Sequence, residues 1–248
     1  MIVIKNNNEI ELMHAAGKIV ARVLQELEQT IAPGVTTGQL DSLAAKIIKE
    51  EGAEPAFLGY RGFPGNICTS VNEELVHGIP GVRKLNEGDI ISIDVGVKYR
   101  GYYGDAARTF SVGKVSKTAQ NLIEVTRGSL QKALEQMWPG KFLSDISNSI
   151  QYYVEGNNFS VVRNYVGHGI GTKMHEAPEV PNFGPAGRGP KLQEGMVLAV
   201  EPMVNAGSWK VEVLEDKWTV VTADRKLCAH FENTIAITSD GPKILTLQ

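Results

Sequence analysis

The stretch EGDIISIDVGV, residues 87–97, returns in the second half of the chain as EGMVLAVEPMV, residues 194–204. Each stretch consists of a Glu-Gly turn, an apolar run typical of a buried strand, and one carboxylate. Asp94 and Glu201 occupy the same place in the two copies. The repeat indicates two related halves, each of which contributes one acid from a buried strand.

Two predicted helices precede each copy of this strand, and Pro33-Gly34 or Pro139-Gly140 separates the two helices. In all four segments apolar residues recur at the three- and four-residue spacing of one helix face. The predicted helices cover about 9–30, 37 onwards, about 116–137 and about 143–155.

These patterns predict an α+β fold, in which helices cover one face of an antiparallel sheet. We expect one domain over residues 1–248, with internal halves of about 1–112 and 113–248. Hydrophobic residues make up 42% and charged residues 21% of the chain, as in folded globular proteins.

Composition also restricts the classes of partner. The net charge of −3 gives no general attraction to nucleic acid or to anionic membranes, so we expect no specific nucleic-acid partner. The first residues lack the basic and apolar regions of a secretion signal, and no apolar run reaches the ~18 residues of a membrane span. The two cysteines lie far apart and predict no disulfide framework. We therefore expect a cytoplasmic protein with no membrane partner.

Residues 90–98 and 102–110 read as a hairpin whose strands carry Asp94 and Asp105. A turn at Tyr99-Arg100 places the two acids directly opposite each other, with Cβ atoms about 4.5–5.5 Å apart. A turn at Arg100-Gly101 makes them diagonal neighbours on the same face. A three-residue loop puts them on opposite faces and removes the pairing.

Four acids, Asp94, Asp105, Glu201 and Glu232, stand in apolar strands. An exposed hairpin with solvated acids is the simpler alternative, but the run around Asp94 indicates burial on both faces. Buried carboxylates repel each other, and a shared proton, a basic partner or a metal ion relieves that repulsion. Oxygen ligands bridging two divalent ions about 3.5–4 Å apart would resolve it for all four acids.

The five histidines divide into two groups. We place His14 on the surface of the first helix, and His230 is ambiguous, with a structural role favoured. His77, His168 and His175 stand beside Gly-rich or acidic turns, where small residues let other groups approach closely. These three are the candidate functional histidines.

With these residues identified, the chain resembles the type I methionine aminopeptidases of the short bacterial class over essentially its whole length. The motifs that carry the resemblance are residues 71–80 (VNEELVHGIP), 93–95 (IDV), 104–105 (GD), 165–171 (YVGHGIG), 201–203 (EPM) and 231–234 (FENT). The resemblance implies the pita-bread fold, with two pseudo-symmetric helix-helix-strand halves around an antiparallel sheet. That architecture agrees with the internal repeat.

The resemblance also implies a cage for two divalent metal ions, drawn from Mn, Fe(II), Co and Zn. Asp94 would hold one ion and His168 the other, Asp105 and Glu232 would bridge them, and Glu201 would complete the cage. Glu201 is further expected to carry a proton from water to the leaving amine.

Two histidines, His77 and His175, match the non-ligand catalytic histidines that lie near the scissile bond in this family. The residues matching the methionine side-chain pocket are Phe57, Tyr60, Phe63, Cys68, Met174 and Trp218. Asn233 stands where the family usually has His, and two pocket residues, Phe57 and Met174, differ from those of well-known members.

The implied function is removal of the initiator methionine from nascent proteins when the next residue is small. The implied partners are nascent peptide N-termini, with transient ribosome contact, and the implied state is a monomer. Two alternatives stay open. One is an Xaa-Pro aminopeptidase-like hydrolase with the same cage, whose members usually carry an extra N-terminal domain. The other is a non-catalytic binding protein on the same fold, associated with the ribosome or RNA, although such relatives lose metal ligands.

Overall fold

The computed structural model describes residues 1–247. Its helices are α1 (Asn7–Thr30), α2 (Thr37–Glu50), α3 (Lys117–Leu134) and α4 (Leu143–Gly156). Its strands are β1 (Glu54–Pro55), β2 (Cys68–Val71), β3 (Glu74–Val76), β4 (Ile90–Tyr99), β5 (Tyr102–Ser111), β6 (Ser160–Val161), β7 (Gly167–Gly169), β8 (Glu176–Val180), β9 (Val197–Val200), β10 (Met203–Asn205), β11 (Val211–Val213), β12 (Val220–Thr222), β13 (Cys228–His230), β14 (Asn233–Thr238) and β15 (Gly241–Ile244). A single 3₁₀ turn covers Tyr60–Gly62.

The four predicted helices are present, and side chains determine where they begin. The Asn6 side chain accepts a hydrogen bond from the Glu9 main-chain N–H, and the Glu9 carboxylate accepts one from the Asn6 N–H. Such reciprocal capping satisfies main-chain N–H groups that have no partner inside the helix. The third helix ends at Leu134 rather than near 137, because the chain already turns there toward Pro139.

Equivalent contacts in the two halves show the pseudo-symmetry. In the first half Gly34 donates its N–H to the Leu85 carbonyl at 2.8 Å, and in the second Gly140 donates to Leu192 at 2.9 Å. Each bond joins the Pro-Gly break between two helices to the segment just before the repeated strand. The two halves are therefore built on the same plan, while the boundary near residue 112 remains a prediction.

The strands form four antiparallel sheets, two of which contain the repeated strands. The first sheet has β4 paired with β1, β2 and β5, and α1 and α2 bury their apolar faces against it. The second has the order β15-β14-β9-β7-β8, and α3 and α4 share a core with it. Within residues 1–247, no helix is both apolar and long enough to pass through a bilayer.

The β4–β5 hairpin turns at Arg100-Gly101. Tyr99 pairs with Tyr102, and the two loop residues have φ values of 49° and 86°. Positive φ at both positions is typical of the type I′ turn that favours tight hairpins. Asp94 therefore pairs with Ala107 and lies diagonal to Asp105, on the same face. Of the two possible two-residue turns, the structure excludes Tyr99-Arg100, because Tyr99 still pairs within the hairpin.

Candidate metal centre

The fold brings the five predicted ligands to one cavity. The cavity has a volume of about 160 Å³ and is lined by all five. Asp94 comes from β4, Asp105 from β5 and His168 from β7. Glu201 directly follows β9, and Glu232 lies between β13 and β14. Residues far apart in the chain thus meet where the two halves face each other.

Hydrogen bonds between β5 and the β14 region hold two of the acids in place. The Asp105 N–H donates to the Thr234 hydroxyl at 3.0 Å, and that hydroxyl donates back to the Asp105 carbonyl at 2.8 Å. The Glu232 N–H donates to the Ala107 carbonyl at 2.9 Å. The main chains of Asp105 and Glu232 are therefore fixed relative to each other before any ion binds.

His168 presents a lone pair to the acids. Its Nδ1 lies 2.8 Å from the Gly169 carbonyl, which can only accept, so Nδ1 carries the hydrogen and Nε2 is free to ligate. Nε2 is 3.9 Å from Asp105 Oδ2 and 3.7 Å from Glu201 Oε1. A Cβ on Gly169 would lie 2.2 Å from the Ala177 carbonyl oxygen, so a larger residue there would displace the strand that carries His168.

All four acids have raised pKa values, so each binds a proton more readily than a free carboxyl. Burial, the largest cause, raises the pKa of Asp94 to about 6 and that of Glu201 to about 8. Burial followed by repulsion from neighbouring carboxylates raises the pKa of Asp105 and Glu232 well above the ordinary range. Three carboxylate oxygens, Asp94 Oδ1, Asp105 Oδ1 and Glu232 Oε1, are buried without a hydrogen-bond partner among the described residues.

The nearby guanidinium of Arg108 forms no ion pair with these carboxylates among the described residues, and its charge offsets only part of the rise in the pKa of Glu232. It donates to the main-chain oxygens of Ala107 and Glu232 and, at 2.6 Å, to Asn233 Oδ1. Unpaired buried carboxylates together with the free Nε2 of His168 form a donor set that suits divalent cations. The residues present therefore fit a metal cage.

Asn233, which departs from the family's usual His, has a defined role in the structure. Its Oδ1 accepts hydrogen bonds from Arg108 at 2.6 Å and from the Thr246 hydroxyl at 2.9 Å. Arg108 in turn binds the Glu232 main chain. Asn233 thus supports Glu232 indirectly, through the buried guanidinium.

The two candidate catalytic histidines border the same cavity. The His175 ring lies against that of His168, with the planes tilted by 37° and the ring centroids 4.2 Å apart, and its Nδ1 is 3.0 Å from the Tyr60 hydroxyl. His77 faces Trp218 edge-on at 6.5 Å. Burial lowers the pKa of His77 to about 4, so its ring is neutral at pH 7.

An apolar pocket adjoins the acids. Five of the six predicted pocket residues line the cavity: Phe57, Tyr60, Phe63, Cys68 and Trp218. The sixth, Met174, is buried behind them and packs in the same cluster. The structure adds Arg61 to the lining. Its position in a surface turn with φ of 50° gives no sequence pattern that would have identified it.

The structure also places His230 at the acids. Its Nε2 is 3.6 Å from Glu201 Oε2 and 3.8 Å from Glu232 Oε2. The sequence analysis left His230 ambiguous and favoured a structural role, so it did not predict this proximity. A signal was available, because His230 and Glu232 are two residues apart and side chains at that spacing point the same way in an extended chain.

Comparison with known proteins identifies relatives of the whole chain. The profile described as metallopeptidase family M24 matches residues 11–239. Methionine aminopeptidase of Clostridium perfringens is 57% identical over 247 residues, covering 100% of this chain and 99% of its own. Methionine aminopeptidase 1 of Bacillus subtilis is 57% identical over 246 residues, covering 99% of each. The crystal structure of methionine aminopeptidase from Thermotoga maritima superposes with a TM-score of 0.98 at 49% identity and covers 100% of both chains.

Proposed function

We propose, since the chain belongs to metallopeptidase family M24, that it is a methionine aminopeptidase. It removes the initiator methionine from nascent proteins when the next residue is small. The observation that carries this function is the placement of four buried acids and His168 beside an apolar, aromatic-lined cavity. Relatives of that name at 57% identity over nearly their whole length support it.

Asp94, Asp105, His168, Glu201 and Glu232 would together hold two divalent ions, drawn from Mn, Fe(II), Co and Zn. Ions bound in such a cage acidify a water and polarise a carbonyl oxygen. The oxygen-rich donor set with one imidazole suits each of the four metals, so availability in the cell selects among them.

The residues around the cage bind the peptide and move its protons. Glu201, which is partly exposed and lines the cavity, takes a proton from the attacking water and passes it to the leaving amine. His175 steadies the oxyanion, and its ring contact with His168 holds it near the cage. His77 contacts the peptide nitrogen.

The cavity accounts for a preference for one terminal side chain. Phe57, Phe63, Cys68 and Met174 form a single apolar cluster. Such soft, polarizable surroundings suit a thioether, and a volume of about 160 Å³ is small enough to select by size. The protein works in the cytoplasm as a monomer, on nascent peptide N-termini and in transient contact with the ribosome.

The test is peptide hydrolysis by apoenzyme reconstituted anaerobically with each ion in turn. We expect Met-Ala-Ser to be cleaved and Xaa-Pro peptides to be resistant. Faster cleavage of Xaa-Pro peptides would favour the proline-directed alternative. Retention of RNA without hydrolysis under any ion would favour the non-catalytic alternative.

A further inference from the structure

His230 is a buried neighbour of two of the cage acids. It is only 1% exposed, and its Nε2 faces both Glu201 and Glu232. The five cage residues all line the cavity, and His230 does not. The His230 ring can therefore contact these acids without entering the cavity.

The main chain holds the His230 ring in this place. Its N–H donates to the Thr109 hydroxyl at 2.9 Å, and that hydroxyl donates to the His230 carbonyl at 2.9 Å. Ser92 lies 2.8 Å from the same hydroxyl and completes the chain of bonds into β4. The ring is thus anchored to the strands that carry Asp94 and Asp105.

Glu201 lies between two imidazoles that face it differently. His168 Nε2 is 3.7 Å from Oε1, and His230 Nε2 is 3.6 Å from Oε2. His168 presents a lone pair, because its Nδ1 donates to a carbonyl. His230 Nε2 is buried with no hydrogen-bond partner among residues 1–247, and the carboxylate oxygens of Glu201 and Glu232, which accept once an ion keeps these acids ionised, lie 3.6 and 3.8 Å away. A buried donor without a partner is destabilising, so we expect a state in which this nitrogen is paired.

We propose that His230 is a positioning residue of the metal centre, which donates its Nε2–H to Glu201 Oε2 and leaves Oε1 facing the ion. The inference rests on the proposed function, because it assigns His230 to the same cage. Carboxylates that ligate metals are themselves held by hydrogen bonds, and loss of such a partner typically costs 10–100-fold in metal affinity or activity. Glu232, 3.8 Å from the same nitrogen, is the second acid that this donor can orient.

The test compares three variants of the metal-free, full-length protein. His230→Leu removes the donor, His230→Gln keeps an N–H at similar reach, and Cys228→Ala removes another buried side chain of β13 away from the cage. Titration calorimetry with Mn²⁺ measures affinity, and the visible spectrum of the Co²⁺ form reports the ligand set. Thermal unfolding of each metal-free variant reports its folding.

We expect His230→Leu to lower Mn²⁺ affinity 10–100-fold, with His230→Gln within about threefold and Cys228→Ala equal to wild type. The Co²⁺ spectrum of His230→Gln should match that of wild type. Wild-type affinity in His230→Leu would overturn this inference and leave the proposed function standing. A changed Co²⁺ spectrum with equal losses in the Leu and Gln variants would make His230 a ligand and also overturn it. Wild-type protein that binds no ion would overturn the inference and the function together. If His230→Leu does not fold, failure of His230→Gln to keep wild-type affinity decides against the inference.

Discussion

Gly96→Ala tests whether the apolar pocket selects the methionine side chain. Gly96 pairs with Asp105 in the hairpin and lies two residues from Asp94, at the floor of the pocket. A Cβ added there would lie 2.6 Å from Phe57 Cε1 and 3.0 Å from Met174 Cε. Ordinary contact begins near 3.4 Å, so the Phe57 ring must move by about 0.8 Å (3.4 − 2.6). The side chains that must move are pocket residues rather than main chain.

The magnitude follows from the cost of overpacking. An extra methyl in a packed region costs about 1–3 kcal/mol, and each 1.4 kcal/mol is a factor of ten. If the strain falls on the bound methionine, kcat/KM for Met-Ala-Ser should fall about 5- to 150-fold. Peptides with a shorter first side chain should lose less, because they do not reach the displaced ring.

The assay measures kcat/KM for Met-Ala-Ser and for the norvaline analogue, together with Mn²⁺ affinity. Gly156→Ala is the matched control, since its added Cβ meets nothing within 4 Å and it lies at the end of α4. Both variants share the stabilisation that Gly→Ala gives through the unfolded chain. Methionine turnover within twofold of wild type would refute the reasoning. So would equal losses for the two peptides, or a loss fully explained by weaker metal binding.

Three further predictions concern the acids and histidines. Glu201→Ala and His77→Ala should fold normally, by circular dichroism and thermal unfolding, and lose most hydrolysis of Met-Ala-Ser; unchanged hydrolysis by either would remove the role assigned to it. Asp94→Asn should weaken Mn²⁺ binding more than tenfold but stabilise the metal-free protein. The gain should be up to about 3 kcal/mol, the equivalent of a pKa raised from 3.8 to about 6. A destabilised metal-free variant would contradict the argument that burial and repulsion make the charged Asp94 unfavourable. The metal-free protein should lose stability from pH 7 to 8.5, measured by urea unfolding, because groups whose folded pKa is raised, such as Glu201 at about 8, stabilise only while protonated. The buried histidines, with pKa values lowered to about 4, no longer change their contribution to stability above about pH 7. A free energy of unfolding that stays constant from pH 7 to 8.5 would therefore contradict the raised pKa values of the carboxyls.

The sequence predicts local structure well, because periodicity and breakers act over a few residues. The apolar spacing and the Pro-Gly pairs located all four helices to within a few residues. Alternation along the hairpin placed Asp94 and Asp105 on one face under either two-residue turn. It could not choose between the turns, since a shift by one residue preserves the face. That choice depends on the positive φ values that Arg100 and Gly101 adopt.

Long-range pairings lie beyond such patterns. The division of the strands among four sheets, and the Arg108–Asn233 contact behind Glu232, bring together segments that carry no mutual signal in the sequence. His230 shows the same limit. Its neighbours in the chain indicate a buried strand, and only the fold shows that its ring faces Glu201, 29 positions earlier (230 − 201).

The repeated acids occupy the same place in the pattern but are held differently, and this difference suits two roles. Strand β4 continues through Asp94, which pairs with Cys68 on one side and Ala107 on the other. Strand β9 ends before Glu201, because Pro202 has no N–H for the ladder. Held in a continuous strand, Asp94 has the rigidity that a ligand needs. Glu201 lies outside the ladder, so the imidazoles that face its two carboxylate oxygens, rather than strand pairing, orient its side chain. A repeated strand can thus provide one acid that the ladder holds as a ligand and one acid that histidines orient for proton transfer, once a proline interrupts one copy.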